Sequence, residues 1–342
     1  MSDTGSSIVR IHGDGVAALC CAHLLNRAGF LLAWERTSRP RLPAILLSQP
    51  ALALMRDVFD RPGLLQQAHH ITRRVVQWGR NVEPAAFDHD AIVISERELI
   101  GELAVQAPPE DPAARTPAFT IFASRPVPGG AVEQRFGTRT AAAAAVRLKD
   151  PRDSASCWIE SLDDGWLFLI PHSAEAGWLL SVGGSVDAAA RRSFLIAGRI
   201  ASWSAPSGEF AASPRILSPL GGSHWLACGT AGMAFDPICG DGTAYAVREA
   251  ILAAAVVKAI SAGGDATELL HHYQARLVLG FQRHLATSMT FYRSGNGGEW
   301  WERETALLQQ GLEWCASQLQ THSEFRYQLS GFDLKSIDSR RR

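Results

Sequence analysis

Glycines at two distant places in this 342-residue sequence have the spacing of nucleotide-binding turns. The first set is Gly13-x-Gly15-x-x-Ala18, which follows the apolar run Ile8–His12 and opens a helical stretch from Val16 to Ala28. A second apolar run, Leu31 to Glu35, ends in an acid about twenty residues after the turn, the spacing at which a carboxylate meets ribose hydroxyls. Each position has a mechanical reason. Gly13 permits the tight turn, Gly15 lets the main chain approach a pyrophosphate, and small Ala18 lets helix pack on strand. The helix start, with Val16 and Ala17, offers amides and partial positive charge to phosphate. Glu35 is the expected ribose acceptor and Arg36 adjoins it. Asp14 must point outward, because a carboxylate beside a pyrophosphate is repelled. A bare strand-to-helix turn can also read Gly-x-Gly, but strand, turn, helix, strand and terminal acid all fall in register here.

That motif does not choose the dinucleotide. The second set does: Trp225 to Ala227 reads as a strand, and Cys228-Gly229-Thr230-Ala231-Gly232-Met233-Ala234-Phe235-Asp236-Pro237-Ile238-Cys239-Gly240-Asp241-Gly242 approaches a long helix from Thr243 to Ala262. This stretch resembles the second flavin motif of the p-hydroxybenzoate hydroxylase-like flavoproteins, a superfamily that includes flavin-dependent halogenases and geranylgeranyl reductases. The resemblance implies FAD as cofactor, with Asp236, Pro237, Gly240, Gly242 and Thr243 against the ribityl chain and pyrimidine edge. A helix N-terminus there stabilises negative charge arriving on the ring. The sequence departs from the pattern at Thr230, where the family carries an aspartate. One hydroxyl is retained, which implies weaker rather than lost binding.

The resemblance extends along most of the chain. Ser95-Glu96-Arg97-Glu98-Leu99 is similar to the segment whose arginine reaches the cofactor, with Glu96 or Arg97 in register, and Arg97 is the implied contact. Phe122-Ala123-Ser124-Arg125 is similar to the strand and turn that return the chain to the FAD domain. Asp164-Gly165-Trp166-Leu167-Phe168-Leu169-Ile170-Pro171 resembles the halogenase Trp-x-Trp-x-Ile-Pro segment, with Phe168 for the second tryptophan. Halogenases also need a lysine in their N-terminal half, and the only lysines are Lys149, Lys258 and Lys335, none in the expected segment. Leu47-Ser48 stands where those enzymes carry Gly-Glu. Halogenation is therefore not expected.

The expected activity is that of a monooxygenase hydroxylating an aromatic or peptidyl substrate, which the resemblance implies would run through a C4a-hydroperoxyflavin. NADPH or a separate flavin reductase would supply electrons, since no second Gly-x-Gly-x-x-Gly is present. A flavin-dependent reductase or dehydrogenase, or a flavin-binding maturation partner without turnover, remains as an alternative. His172, after Ile170-Pro171, is the candidate side chain facing the ring, although a histidine beside a turn is commonly an ordinary surface residue. The C-terminal aromatics, Trp300-Trp301 above all, offer either a docking surface or a pin for a terminal helix.

The elements that must position these residues read as α/β (α+β): a Rossmann-like FAD-binding domain over 1–72, 95–135 and 205–265, an interleaved antiparallel-sheet substrate domain over 73–94 and 136–204, and a helical C-terminal region over 266–342. Helices are expected over Pro50 to Phe59 and Glu98 to Gln106, and a Pro- and acid-rich connection from Ala107 to Ala118. That short connection predicts a trimmed substrate domain, with a small pocket or one completed by another protein. A 46% hydrophobic content supports a sizeable core, and a formal charge of −1 gives no basic field for nucleic acid. Six cysteines without CxxC spacing read as buried thiols of a reducing compartment. The N-terminus lacks a signal-peptide pattern and no run reaches the ~20 apolar residues of a membrane span, which predicts a cytoplasmic protein. His69-His70, on one strand, would point to opposite faces and suggests no metal site.

Overall fold

The computed structural model describes residues 8–37, 39–80, 82–104, 117–320 and 326–337. The chain opens with β1 (Ile8–His12), α1 (Val16–Arg27) and β2 (Leu31–Glu35), then β3 (Ile45–Ser48) leads into α2 (Gln49–Phe59). Pro50 in the first turn of α2 suits its fixed φ, and Asp60 ends the helix in a left-handed cap. Strands β4 (His69–Gln77) and β5 (Ala85–Ile94) precede α3 (Glu96–Leu103). Ser95 and Glu98 form a capping box that starts α3 at Glu96, two residues before the expected Glu98. Most of the connection expected over Ala107 to Ala118 lies outside the described residues.

Strand β6 (Phe119–Phe122) returns to the first sheet, and β7 (Val132–Arg135) follows. The middle of the chain supplies β8 (Thr140–Leu148), β9 (Ser156–Leu162), β10 (Gly165–Pro171) and β11 (Ala176–Val182), then α4 (Val186–Arg192), β12 (Ile200–Trp203) and β13 (Glu209–Ala211). Next come β14 (Arg215–Ser218), β15 (Gly221–Gly222), β16 (Trp225–Ala227), α5 (Gly229–Gly232) and β17 (Met233–Ala234). Helices α6 (Gly242–Ser261), α7 (Ala266–Arg293) and α8 (Glu299–Gln320) and the hairpin β18 (Tyr327–Ser330) and β19 (Asp333–Ser336) complete it. Among the described residues, α7 and α8 and that hairpin make up the regular structure of the C-terminal region.

Two sheets organise the molecule. The first has the order β15-β16-β6-β1-β2, with β16, β6, β1 and β2 parallel. Burial alternates along the central strands, with Val9 and Ile11 of β1 and Phe119 and Ile121 of β6 in the core and Arg10 and Thr120 on the less buried side. The second sheet has nine strands, the order β12-β8-β11-β10-β9-β4-β5-β3, with β13 on β8. It is antiparallel apart from the joint between β4 and β9. It also begins earlier than 73: β3 pairs with β5, and β4 starts at His69, because their apolar faces complete the core above α6. A third sheet, β17-β14-β7, bridges the two. Helices α1 and α6 pack together through small side chains, with the Cys21 thiol reaching the Ala250 carbonyl at 3.6 Å. All six cysteines are unpaired. Among the described residues no helix is long and apolar enough to cross a membrane.

Trp300 and Trp301 pin α8 to the second sheet. Trp301 is buried and donates to the Leu162 carbonyl at 2.9 Å, while the Trp300 ring lies against Gly183. The pinning alternative for these aromatics is the one their burial supports.

Candidate functional site

Because β1, β6 and β16 run parallel, their carboxyl ends lie side by side, and the loops that leave them form one rim. Gly13 leaves β1 with φ 130°, and a Cβ there would stand 2.9 Å from the Ser124 hydroxyl and 3.0 Å from the Ser124 amide. Only glycine fits. The rim is tied together at that point: Gly13 donates its amide to the Glu35 carbonyl (2.9 Å) and its carbonyl accepts from Trp34 Nε1 (2.7 Å), while Ser124 and Thr37 hydroxyls meet at 2.7 Å.

The loop after β16 closes on the same place. Gly229 has φ 53°, and a Cβ there would be 2.7 Å from the Cβ of Ala17 in the first turn of α1. The Thr230 hydroxyl donates to the Ala123 carbonyl at 3.3 Å. Beneath the turn, Glu249 of α6 accepts the Gly229 amide at 2.6 Å. Burial pushes the Glu249 carboxyl up to about 8, against the lowering effect of that hydrogen bond. The two glycine sets, more than two hundred residues apart, therefore share one rim.

Helix α1 begins at Gly15, in extended conformation and with no side-chain cap, and α6 begins after Asp241, whose side chain makes no capping bond either. By contrast Ser95, Ser185 and Asp265 cap α3, α4 and α7. No side chain caps the first turn of α1 or α6, a property α2 shares after Ser48, and such an uncapped helix start suits an anionic ligand. Val16, Ala17 and Ala18 are buried in the turn, Gly242 is exposed at the start of α6, and Pro237 and Thr243 are half-buried beside it.

Four charged side chains surround the first turn. Arg39 pairs with Glu96 and Arg41 with Asp14, and the Arg39 guanidinium lies 3.2 Å from where a Gly15 Cβ would sit. Glu96 also accepts the Leu42 amide at 2.9 Å. Arg39 Nε, Arg41 Nη1 and Asp14 Oδ1 are buried without partners. The two leftover arginine donors at the mouth of a glycine turn fit a pyrophosphate, whereas Asp14, expected to point outward, is half-buried against Arg41 and its orphaned oxygen is an acceptor that a phosphate would repel. Sequence reading missed the two arginines, although the spacing of Arg36, Arg39 and Arg41 directly after the Glu35 strand was a visible signal. It also chose Arg97, which is exposed; Glu96 is the residue turned inward, since the capping box fixes the helix phase. Glu35 is largely exposed at the end of β2, with Oε2 3.4 Å from His12 Nδ1, and Arg36 stacks over the Trp34 ring at 4.8 Å.

Asp236 requires a correction. Expected against the cofactor, its side chain is fully buried and turned away from the rim. One oxygen accepts from Arg139 Nε (2.7 Å) and the other caps the Pro237–Cys239 turn through the Ile238 amide (3.0 Å). Arg139 also donates to Glu304 of α8 at 2.5 Å, and Glu304 takes the Thr138 amide and hydroxyl. Tyr292 accepts from Trp166 at 3.2 Å and lies under the Arg139 guanidinium at 4.4 Å. The Asp236 amide donates to His284 Nε2 at 2.8 Å, and burial lowers the His284 pKa to about 4, so this ring is neutral. The following segment is less buried: Gly240, in whose place a Cβ would lie 3.8 Å from Arg74 Nη2, then exposed Gly242 and half-buried Thr243.

His172 is also placed elsewhere. It follows β10 at the end of the large sheet where β4 begins, and lines a cavity of about 720 Å³ with His69, Glu98, Glu102, Ser95 and Trp178. Burial lowers its pKa. Arg74, which approaches Gly240, lies five residues beyond His69 on β4, so His172 and the Gly240 turn sit at different places along the sheet. Among the described residues no group of His, Cys, Asp and Glu is arranged to hold a metal ion.

No family model matches the sequence, and no curated protein matches it. Solved structures do. CmlS, a flavin-dependent halogenase, superposes over 97% of this chain and 84% of its own, with TM-score 0.73 and 15% identity. Peptidyl tryptophan dihydroxylase QhpG, essential for tryptophylquinone cofactor biogenesis, covers 87% of this chain and 78% of its own, with TM-score 0.67 and 20% identity. Klebsiella pneumoniae HpxO complexed with FAD covers 92% of this chain and 94% of its own, with TM-score 0.59 and 16% identity. With its paired glycine turns on one rim and its nine-stranded sheet above them, this chain has the fold of the p-hydroxybenzoate hydroxylase-like FAD-dependent oxidoreductases.

Proposed function

We propose that this chain is an FAD-dependent oxidoreductase, and specifically a monooxygenase that hydroxylates an aromatic or peptidyl substrate. The observation that carries the reading is the meeting of the Gly13 and Gly229 turns at the ends of β1, β6 and β16, with the uncapped starts of α1 and α6 nearby. The α1 amides, Arg39 and Arg41 would hold the pyrophosphate, Glu35 the adenosine ribose, and the start of α6 at Gly242 and Thr243 the ring end. FAD supplies electron storage and reaction with oxygen. The protein's own part is to orient the substrate on the nine-stranded sheet and to exclude water, for which the buried face of β8 to β11 is suited.

Hydroxylation is favoured over halogenation by the lysines. Lys258 is engaged by Asp333 and the Phe332 carbonyl, Lys335 lies in the terminal hairpin, and Lys149 follows β8 on the far sheet. Electrons would come from NADPH or from a separate flavin reductase. The test is direct: purified protein is titrated with FAD and with NAD(P)H, then reduced and mixed with isotopically labelled oxygen in the presence of indole and phenol compounds and tryptophan peptides. Stoichiometric FAD uptake and label in an organic product support the proposal. Nicotinamide binding without FAD uptake, or reoxidation with no label in any product, overturns it.

A further inference from the structure

Three side chains on one face of the large sheet have no role in the reading above. Arg74 on β4 stands directly opposite Phe87 on β5, and His89 is the next residue along on the same face. Cross-strand partners and alternate residues share a face, so guanidinium, phenyl ring and imidazole are neighbours. Arg74 Nη2 donates to His89 Nε2 at 3.0 Å, and it is this nitrogen that approaches Gly240 at the start of the ring-end segment.

Among the half-buried arginines of the described residues, Arg10 and Arg56 share with Arg74 the absence of an ion pair, but of these three Arg74 alone has a buried nitrogen without a hydrogen-bond partner. Arg39, Arg41, Arg139, Arg199 and Arg215 each form an ion pair with a carboxylate. No ion pair is formed by Arg74 among the described residues, and its Nε is buried with no hydrogen-bond partner. Its nearest titratable neighbours do not compensate. Cys157, its partner in the register of β9, is a thiol that burial holds in the neutral form, and burial followed by Arg74 itself keeps His89 below its usual pKa. Cys239, just before Gly240, is likewise held neutral by burial. Asp241 lies beyond the glycine and makes no ion pair with Arg74. A half-buried guanidinium with spare donors is completed by an anion, and its planar fork suits a carboxylate. Beside it, Phe87 is 56% exposed, an apolar ring left open to solvent.

We propose that Arg74 and Phe87 select the substrate: Arg74, steadied by His89, receives a carboxylate, and Phe87 covers the attached aromatic ring, beside the Gly240 turn. The substrate is then an aromatic acid, either free or as an acidic side chain flanking an aromatic residue in a peptide. This rests on the FAD reading for its location next to the ring end, not for the binding chemistry itself.

Calorimetric titration of the protein, with and without FAD, tests it using indole-3-acetate against indole-3-acetamide, and end-blocked Glu-Trp against Gln-Trp peptides. The acid is expected to bind at least about tenfold more tightly than its amide, as a charge-assisted pair implies. Arg74→Gln and Arg74→Met remove that preference while leaving amide binding unchanged, Arg74→Lys restores part of it, and Phe87→Ser weakens acid and amide alike. Preference confined to the free acids assigns a small substrate, and preference confined to the peptides assigns a peptidyl one. Circular dichroism establishes that each variant is folded. Equal binding of acid and amide by the unaltered protein overturns the proposal. So does an Arg74 variant whose FAD affinity falls while its acid preference stays, because Arg74 then serves the cofactor. Failure to take up FAD with the acid preference intact overturns the cofactor reading instead.

Discussion

The first glycine turn and the Asp-Pro segment before α6 are held in opposite ways. The first is held by main-chain geometry and by ion pairs at its mouth: Gly13 fits its neighbours with no room for a Cβ, and Arg39 and Arg41 lie partly exposed against Glu96 and Asp14. The second is held from underneath. Its anchor is a dry chain of charge, Asp236 to Arg139 to Glu304, fully buried and reaching into α8. A partly exposed pair can exchange partners with a bound phosphate, whereas a buried triad cannot be opened without stranding a charge. The first turn is therefore suited to ligand exchange and the second to fixing where the ring end sits relative to the C-terminal helices.

The sharpest way to break this contrast is to remove the centre of the triad. Arg139→Met leaves two buried carboxylates uncompensated and is expected to lower stability by about 3–5 kcal/mol in urea denaturation, with loss of FAD binding as a consequence. An Arg139 variant as stable as the parent would show that the triad anchors nothing. Next in size is a pH effect at His284. Its folded pKa of about 4 lies below the ordinary 6.5, so the unfolded chain takes up the proton first as pH falls. Stability is then full above about pH 6.5 and declines toward pH 4 by roughly 3 kcal/mol, and His284→Gln, which keeps an acceptor for the Asp236 amide, should flatten that part of the profile.

At the first turn the effects fall on binding more than on folding. Gly13→Ala forces a left-handed φ and a contact with Ser124, a strain of about 1–3 kcal/mol, and should weaken FAD at least tenfold by equilibrium titration. Arg39→Met should weaken FAD by about tenfold, the worth of one charge-assisted hydrogen bond, while leaving riboflavin binding unchanged, because riboflavin lacks the pyrophosphate. The smallest effect is expected at Thr230, an exposed residue with one long hydrogen bond to Ala123: Thr230→Ala should alter stability by less than about 0.5 kcal/mol and FAD affinity by a few-fold at most.

The sequence was most legible where chemistry and local geometry coincide. The strand, turn and helix around Gly13 could be read because a glycine spacing, an apolar period and a terminal acid all report on contiguous residues. The long α6 helix and the strands between Thr138 and Ser185 were legible for the same reason. The burial of the Asp236 carboxylate was not legible because the partner that holds it inward is Arg139, nearly a hundred residues away. Arg97 was preferred to Glu96 because an arginine suits phosphate, yet the phase of α3 is set by the Ser95–Glu98 capping box. His172 had only its position after Ile170-Pro171 to support it, and the register of β10 against β9 and of β9 against β4 carried it to the end of the sheet away from Arg74.

By itself, then, the sequence determined which segments could bind a dinucleotide and which would be helix or strand, because those properties depend on side-chain size, backbone freedom and periodicity within a few residues. It did not determine that the two glycine sets meet, that Arg74 of β4 lies beside Gly240, or which carboxylates are buried. Those follow from parallel pairing of β1 with β6 and β6 with β16, and from a large sheet whose register brings residues tens to hundreds of positions apart into contact. Pairing of that kind is a balance of packing and desolvation over the whole chain, and only the tertiary structure expresses its outcome.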